Sequence, residues 1–304
     1  GLVAAASVAD YDSNRIRKHE FTRPAKEDDR VRQIEALNAQ TGPVLLAYRS
    51  QDEIDAMIDS VTRGAPEYDL VADDGIGHTF WVVDDPDLIQ RLTEGFDRME
   101  AIYIADGHHR SAAASRVAAS KNGPPDAMSR YFLSVIFPHK QMKILDYNRV
   151  VKDLNGLDEK TFIEKVATAF DVNASDTPVS PAQPGEFGMY LNGQWYRLNI
   201  HPERIPADPV ARLDVSLLAD NLLEPVLGIS DPRTDPRIDF VGGIRGLGEL
   251  ERRVDSGEMA AAFSMHATTM DDLMAVADAN EVMPPKSTWF EPKLADGLVS
   301  HLLN

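Results

Sequence analysis

Apolar and polar positions along the chain switch repeatedly between two periods. Val44-Leu45-Leu46-Ala47-Tyr48 and Ile102-Tyr103-Ile104-Ala105 are short unbroken apolar runs, the pattern of buried strands. The opening run, residues 1–8, also reads as a strand. Val31, Ile34 and Leu37 lie on one face of a helix predicted over 26–37, with Pro24 as a break before it. Residues 51–61 continue the helical pattern. After Asp85-Pro86, Leu88, Leu92 and Phe96 form the packed stripe of another helix. Residues 68–83 read as a hairpin folded at Asp73-Asp74-Gly75, with His78, Phe80 and Val82 on one face of its second arm. Such a strand histidine is more often incidental than part of a pocket.

The second half is patterned in the same mixed way. Residues 131–137 and 142–151 form two strands around Pro138-His139-Lys140, and 162–170 is helical. The segment 175–185, rich in Pro and Ser, reads as an exposed loop or linker. Residues 186–200 form a hairpin closed by Asn192-Gly193. Leu213, Leu217, Leu218 and Leu222 mark a helix over 213–227 that stops at Gly228. Gly242-Gly243-Ile244-Arg245-Gly246-Leu247-Gly248 lacks the lysine and serine of a phosphate loop, so it reads as turn chemistry before a helix over 247–254. A strand at 260–265 and a helix at 269–279 follow. Strands and helices alternate without repeating βαβ units, which predicts an α+β fold with mixed sheets.

Composition narrows the chemistry. The 304 residues include no cysteine, which excludes disulfides, thiolate metal sites and a cysteine nucleophile. The 49 Asp and Glu outweigh 31 Lys and Arg, for a net charge of −18. An acidic surface repels duplex DNA unless a local basic run offsets it, and no such run is evident. No apolar run reaches the length of a membrane-spanning helix, so the expected home is the cytoplasm.

The chemistry concentrates at Asp106-Gly107-His108-His109-Arg110-Ser111. A buried strand ends at Asp106, turns at Gly107 and restarts as the alanine-rich helix Ser111-Ala112-Ala113-Ala114. A helix start carries unpaired N–H groups and the positive end of the dipole, and two histidines and an arginine add donors for phosphate or carboxylate oxygens. The same residues are equally consistent with a capped helix start whose histidines face water. Adjacent histidines point apart, which ranks a histidine metal site last.

Asp106-Gly107-His108-His109-Arg110 resembles the signature of domain-of-unknown-function family 1015, often labelled SpoOJ/ParB-like. Further support comes from Lys18-His19-Glu20-Phe21-Thr22 with Lys26 to Arg30, Leu222-Leu223-Glu224-Pro225-Val226-Leu227-Gly228-Ile229 and Met283-Pro284-Pro285-Lys286-Ser287-Thr288-Trp289-Phe290-Glu291-Pro292-Lys293. The motif resembles the phosphate-binding box of the ParB/sulfiredoxin fold, which the free serine kinases share. The resemblance implies a ParB/sulfiredoxin-like region over 1–150 and a mixed α/β region over 151–304. Because family members usually extend further upstream, the chain is expected to lack an N-terminal part.

It also implies ATP or ADP with magnesium. Gly107, His108, His109, Arg110, Ser111, Lys286 and Ser287 would bind the nucleotide. Asp106, His108 and Glu20 would be catalytic, and Asp106 would hold the metal. Relatives tend to carry a His-Arg pair where Asn148-Arg149 stands here, so Arg149 alone carries over. The activity implied is phosphotransfer to a small hydroxyl compound; the alternative is a nucleotide-binding switch without turnover and without direct DNA binding.

Overall fold

The computed structural model describes residues 1–291 and 293–304 as an α+β protein. Two compact units are resolved, Gly1–Lys18 with Thr22–Met142 and Leu294–Asn304, and His19–Phe21 with Lys143–Lys293.

The first unit contains strands β1 (Leu2–Ser7), β2 (Ile16–Arg17), β3 (Ala39–Gln40), β4 (Val44–Tyr48), β5 (Tyr68–Val71), β6 (Gly77–Phe80), β7 (Ile102–Asp106) and β8 (Tyr131–Pro138). Its helices are α1 (Val8–Asp12), α2 (Pro24–Leu37), α3 (Asp52–Thr62), α4 (Pro86–Asp97) and α5 (His108–Lys121). Five strands form a mixed sheet in the order β1-β8-β4-β7-β2. β4 is central and buried along its whole length, which is why its sequence is an uninterrupted apolar run. Tyr48, Phe132, Leu46, Ile54 and Ile104 are fully buried there. Each such side chain contributes roughly 1.5–3 kcal/mol on leaving water. Leu92 is buried in the same cluster, with Leu88 and Phe96 packed against it, as the α4 stripe predicts. β5 and β6 form the expected hairpin. Pro24 does not precede α2 but occupies its first turn, where its missing N–H costs no helical hydrogen bond.

The helix α5 is built for close approach. Ala112, Ala113, Ala114, Val117 and Ala118 are buried, and Ala113 and Val117 pack with Ile34 of α2 and with Leu303. The small side chains let helices meet with little side-chain entropy lost. The strand His301–Leu302 pairs antiparallel with β3.

The second unit contains β9 (Lys143–Leu145), β10 (Tyr147–Val151), β11 (Phe170–Ser175), β12 (Glu186–Leu191), β13 (Gln194–Ile200), β14 (Ile238–Gly242), β15 (Ala261–Met265) and β16 (Trp289–Glu291). Helices α6 (Glu159–Val166), α7 (Asp214–Leu218), α8 (Leu247–Asp255) and α9 (Met270–Asp278) accompany them. Six strands make an antiparallel sheet in the order β11-β13-β12-β15-β10-β14.

Three sequence expectations are corrected here. The single strand over 142–151 breaks at Asp146, whose carbonyl accepts the Gly243 N–H at 2.8 Å while its carboxylate accepts from Asn148 Nδ2 at 2.6 Å. The helix over 162–170 starts and ends earlier. Asp158 caps it through the Thr161 N–H, and Phe170 enters β11 because pairing with β13 satisfies its backbone instead. The helix over 213–227 is the short α7 followed by a wider π turn at 219–223.

Candidate functional site

In the first unit β7 delivers Asp106 to the sheet end, and Gly107 turns the chain with φ 103° into α5. An L side chain rarely adopts that backbone angle, and space is closed as well. A Cβ on Gly107 would stand 3.0 Å from Nε and from one terminal nitrogen of Arg110. The Asp106 carboxylate accepts the Gly107 N–H at 3.0 Å, and its other oxygen lies 3.9 Å from the Arg110 guanidinium. The amides of Arg110 and Ser111 both donate to the Gly107 carbonyl, so the helix itself uses those two N–H groups. Arg110 Nε is buried and has no hydrogen-bond partner. A buried, unpaired donor on a charged group is costly unless something completes it. Gly42 marks the opposite wall. A Cβ there would meet the Asp296 carboxylate at 3.0 Å and the Arg110 side chain at 3.4 Å.

Neighbouring elements fix the motif in place. His109 Nε2 accepts the backbone N–H of Arg23 at 3.0 Å, which requires the ring proton on Nδ1. Two turns along, Arg116 pairs with Glu27 at 3.1 Å and Asp28 at 2.8 Å, joining α5 to α2. Thr22 donates to the other oxygen of Glu27 at 2.6 Å. His108 and Ser111 are buried, and the Ser111 hydroxyl donates to the His108 carbonyl at 3.1 Å. Burial pushes the Tyr11 phenol pKa up. The Lys18 ammonium sits 3.8 Å from the Tyr11 ring centre, and burial lowers its pKa. Sequence reading missed Tyr11, Arg23, Gly42 and Asp296 here; only the fold brings them to the motif.

The residues present fit a phosphate-bearing group at this turn, because the orphaned Arg110 Nε, the glycine and the positive helix end occur together. Among the described residues no group of three or more His, Cys, Asp or Glu side chains is gathered to hold a metal. Asp106 alone fits magnesium in the manner of nucleotide sites, where one or two carboxylates and the phosphates share the ion.

The family model described as protein of unknown function (DUF1015) matches residues 1–216. The chain belongs to that family. The match takes in the DUF1015 motif and Lys18 to Thr22, whereas Leu222 and the Met283 segment lie beyond it. No curated protein matches the sequence. SbnI from Staphylococcus aureus, with a C-terminal truncation, is similar in structure, with TM-score 0.50 and 10% identity over 97% of this chain and 85% of that one. At that identity the likeness is one of fold. A variant of free serine kinase in complex with AMP gives TM-score 0.47 and 14% identity, covering 95% of this chain and 86% of that one. A conserved hypothetical protein from Pyrococcus furiosus gives 0.43 and 16%, covering 97% and 94%. No helix among the described residues is long and apolar enough to cross a membrane.

The remaining candidates of this DUF1015 chain belong to the second unit. Glu20 is exposed, one residue after His19, whose carbonyl accepts the Met283 N–H at 2.9 Å. Ser287 is buried, its hydroxyl donating to the Pro284 carbonyl at 2.5 Å, and its carbonyl accepting from Thr268 at 2.8 Å. Lys286 takes a left-handed backbone, φ 61°, and its ammonium lies 5.4 Å from the Tyr147 ring centre. Its carbonyl accepts from Arg149 at 3.0 Å. Within that segment Pro292 lies outside the described residues.

Proposed function

We propose that the turn from β7 to α5 binds the phosphates of ATP or ADP and that the protein is a phosphotransferase acting on a small hydroxyl compound. The observation that carries this reading is Arg110 Nε, buried without a partner beside a left-handed glycine at the start of a helix. Its guanidinium would take the nucleotide oxygens, with the helix dipole and the side chains of His108 and His109 around it. Gly107 would permit the close approach, and Ser111 would hold the first turn through its bond to the His108 carbonyl. Asp106 would hold magnesium, which when bound neutralises phosphate charge, and with His108 would orient the accepting hydroxyl. Phosphoryl transfer depends chiefly on positioning and charge neutralisation, so this residue set is suited to it. A catalytic role for Glu20 and nucleotide contacts from Lys286 and Ser287 remain implications of the family resemblance, as do a ParB/sulfiredoxin kinship and a cytoplasmic home.

The test is isothermal titration of ATP and ADP with magnesium into wild type and Arg110→Ala, with thermal melts as a folding control. A charge-assisted hydrogen bond is worth roughly 1.5–3 kcal/mol, so affinity falls about ten- to a hundredfold in the variant. Unchanged affinity removes the motif from the site.

A further inference from the structure

Arg110 raises a question of access. Its side chain is 33% exposed, yet its Nε is shut off from water and has no partner. A phosphate that takes the guanidinium along one edge, through Nε and a terminal nitrogen, needs that atom uncovered. Something beside it has to move.

The movable neighbour is the stretch 294–298, where the chain returns to the first unit. A Cβ on Gly42 would stand 3.0 Å from Oδ1 of Asp296 and 3.4 Å from Cδ of Arg110, so the carboxylate and the arginine stem converge on one glycine. Among the described residues Arg110 has its ion pair with Asp106, at 3.9 Å, and none with Asp296. Two carboxylates thus stand by one guanidinium, and a phosphate arriving there meets Asp296 as a like charge.

Little holds this stretch down. Among the described residues it is tied by the Gly297 N–H to the Thr41 carbonyl at 3.3 Å, and by the Tyr68 hydroxyl to the Leu298 carbonyl at 3.1 Å. Asp296 and Gly297 are exposed, and Gly297 turns with φ 82° in open space. Beyond it the chain is fixed again, since His301–Leu302 pairs with β3 and Leu303 is buried. Exposed hydrogen bonds and few buried contacts mark a span that opens at low cost, while its far end stays anchored.

We infer that residues 294–298 are an acid-tipped strap, which rests against Arg110 and lifts when nucleotide phosphate takes the guanidinium. The strap regulates the site proposed above and rests on that reading. Closed, it holds Asp296 where phosphate charge has to come; open, it frees the Nε edge of the fork. Affinity is reduced by the fraction of molecules that are closed, so loosening the strap raises it.

The probe is ADP, titrated calorimetrically into the 304-residue chain at low salt with EDTA in place of magnesium. Asp296→Asn, which keeps the shape of an exposed side chain, tightens binding up to about fivefold, the worth of one exposed charge. Tyr68→Phe removes one tie and no charge, and tightens it about two- to tenfold, the worth of one hydrogen bond. Thermal melts confirm that both variants are folded. Amide exchange at Gly297 quickens when ADP binds. Binding that Arg110→Ala abolishes but both other variants leave unchanged or weaken, with exchange at Gly297 unaltered, overturns the strap and leaves the nucleotide reading standing. Tightening by Asp296→Asn alone, with exchange unaltered, makes Asp296 a fixed repelling charge and likewise overturns the strap. Absence of ADP binding to every variant removes the nucleotide reading and the strap with it.

Discussion

His109 Nε2 accepts the backbone N–H of Arg23 at 3.0 Å, across 86 positions of sequence. Arg23 stands at the N-terminal cap of α2, and no side chain of its own caps that helix. The histidine that looks like a ligand donor in the sequence thus also ties a helix start to the motif. Replacing His109 by Ala should cost about 0.5–1.5 kcal/mol, the net worth of a typical hydrogen bond. Urea unfolding measures the loss, and amide exchange at Arg23 should quicken. Equal stability and unaltered exchange would show the contact to be inert.

Gly107→Val tests the turn. The side chain would have to adopt φ 103° and displace the Arg110 guanidinium from 3.0 Å. Backbone strain of this kind costs on the order of 1–3 kcal/mol. The variant should unfold at lower denaturant and lose nucleotide affinity together; retention of full stability would mean that the turn relaxes freely.

Asp214 should make stability depend on pH. Its carboxylate accepts the Gly185 N–H at 2.8 Å, while Oδ2 is buried without a partner, and burial followed by the nearby Asp272 charge raises its pKa from 3.8 to about 7. Below 3.8 folded and unfolded chains both hold the proton. Between 3.8 and 7 only the folded chain keeps it, so stability falls as pH rises through this window and levels off above 7. Because the residue keeps some contact with water, the change is on the order of 2 kcal/mol. Melts at pH 5 and pH 8 should differ less for Asp214→Asn than for wild type. An identical difference in the two proteins would refute the assignment.

The net charge of −18 predicts no binding of duplex DNA at physiological salt. A mobility shift at micromolar protein would contradict that.

The motif was legible because its constraints are local. Asp-Gly after an apolar run leaves few backbone solutions, and the alanines that follow admit a helix whatever surrounds it. The α4 stripe was legible for the same reason. Phe170 was misplaced because nothing local distinguishes a helix end from an edge strand; β13 decides it from thirty residues away in the chain. Arg149 illustrates the opposite limit. An arginine between Asn148 and Val150 carries no sign of burial, and only the closing of β14 and β15 around β10 removes it from water. The carbonyl, rather than the ammonium, of Lys286 is what Arg149 grips, a contact that side-chain chemistry read along a sequence does not reveal.

Leu303 packs with Ile34, Ala113 and Val117, its N–H donates to the Asn38 carbonyl at 3.1 Å, and the Leu298 carbonyl accepts from Tyr68 at 3.1 Å. Residues 294–304 therefore belong to the same unit as residues 1–18, packed on the α2–α5 side of it. Contacts spanning so much of the chain are slow to form, since loop closure must be met before they contribute. On a ribosome most of the first unit would emerge early yet wait for the strand at 301–302 until all of the second unit had been made. Its α2–α5 face would stay open to water, or to a chaperone, through most of synthesis.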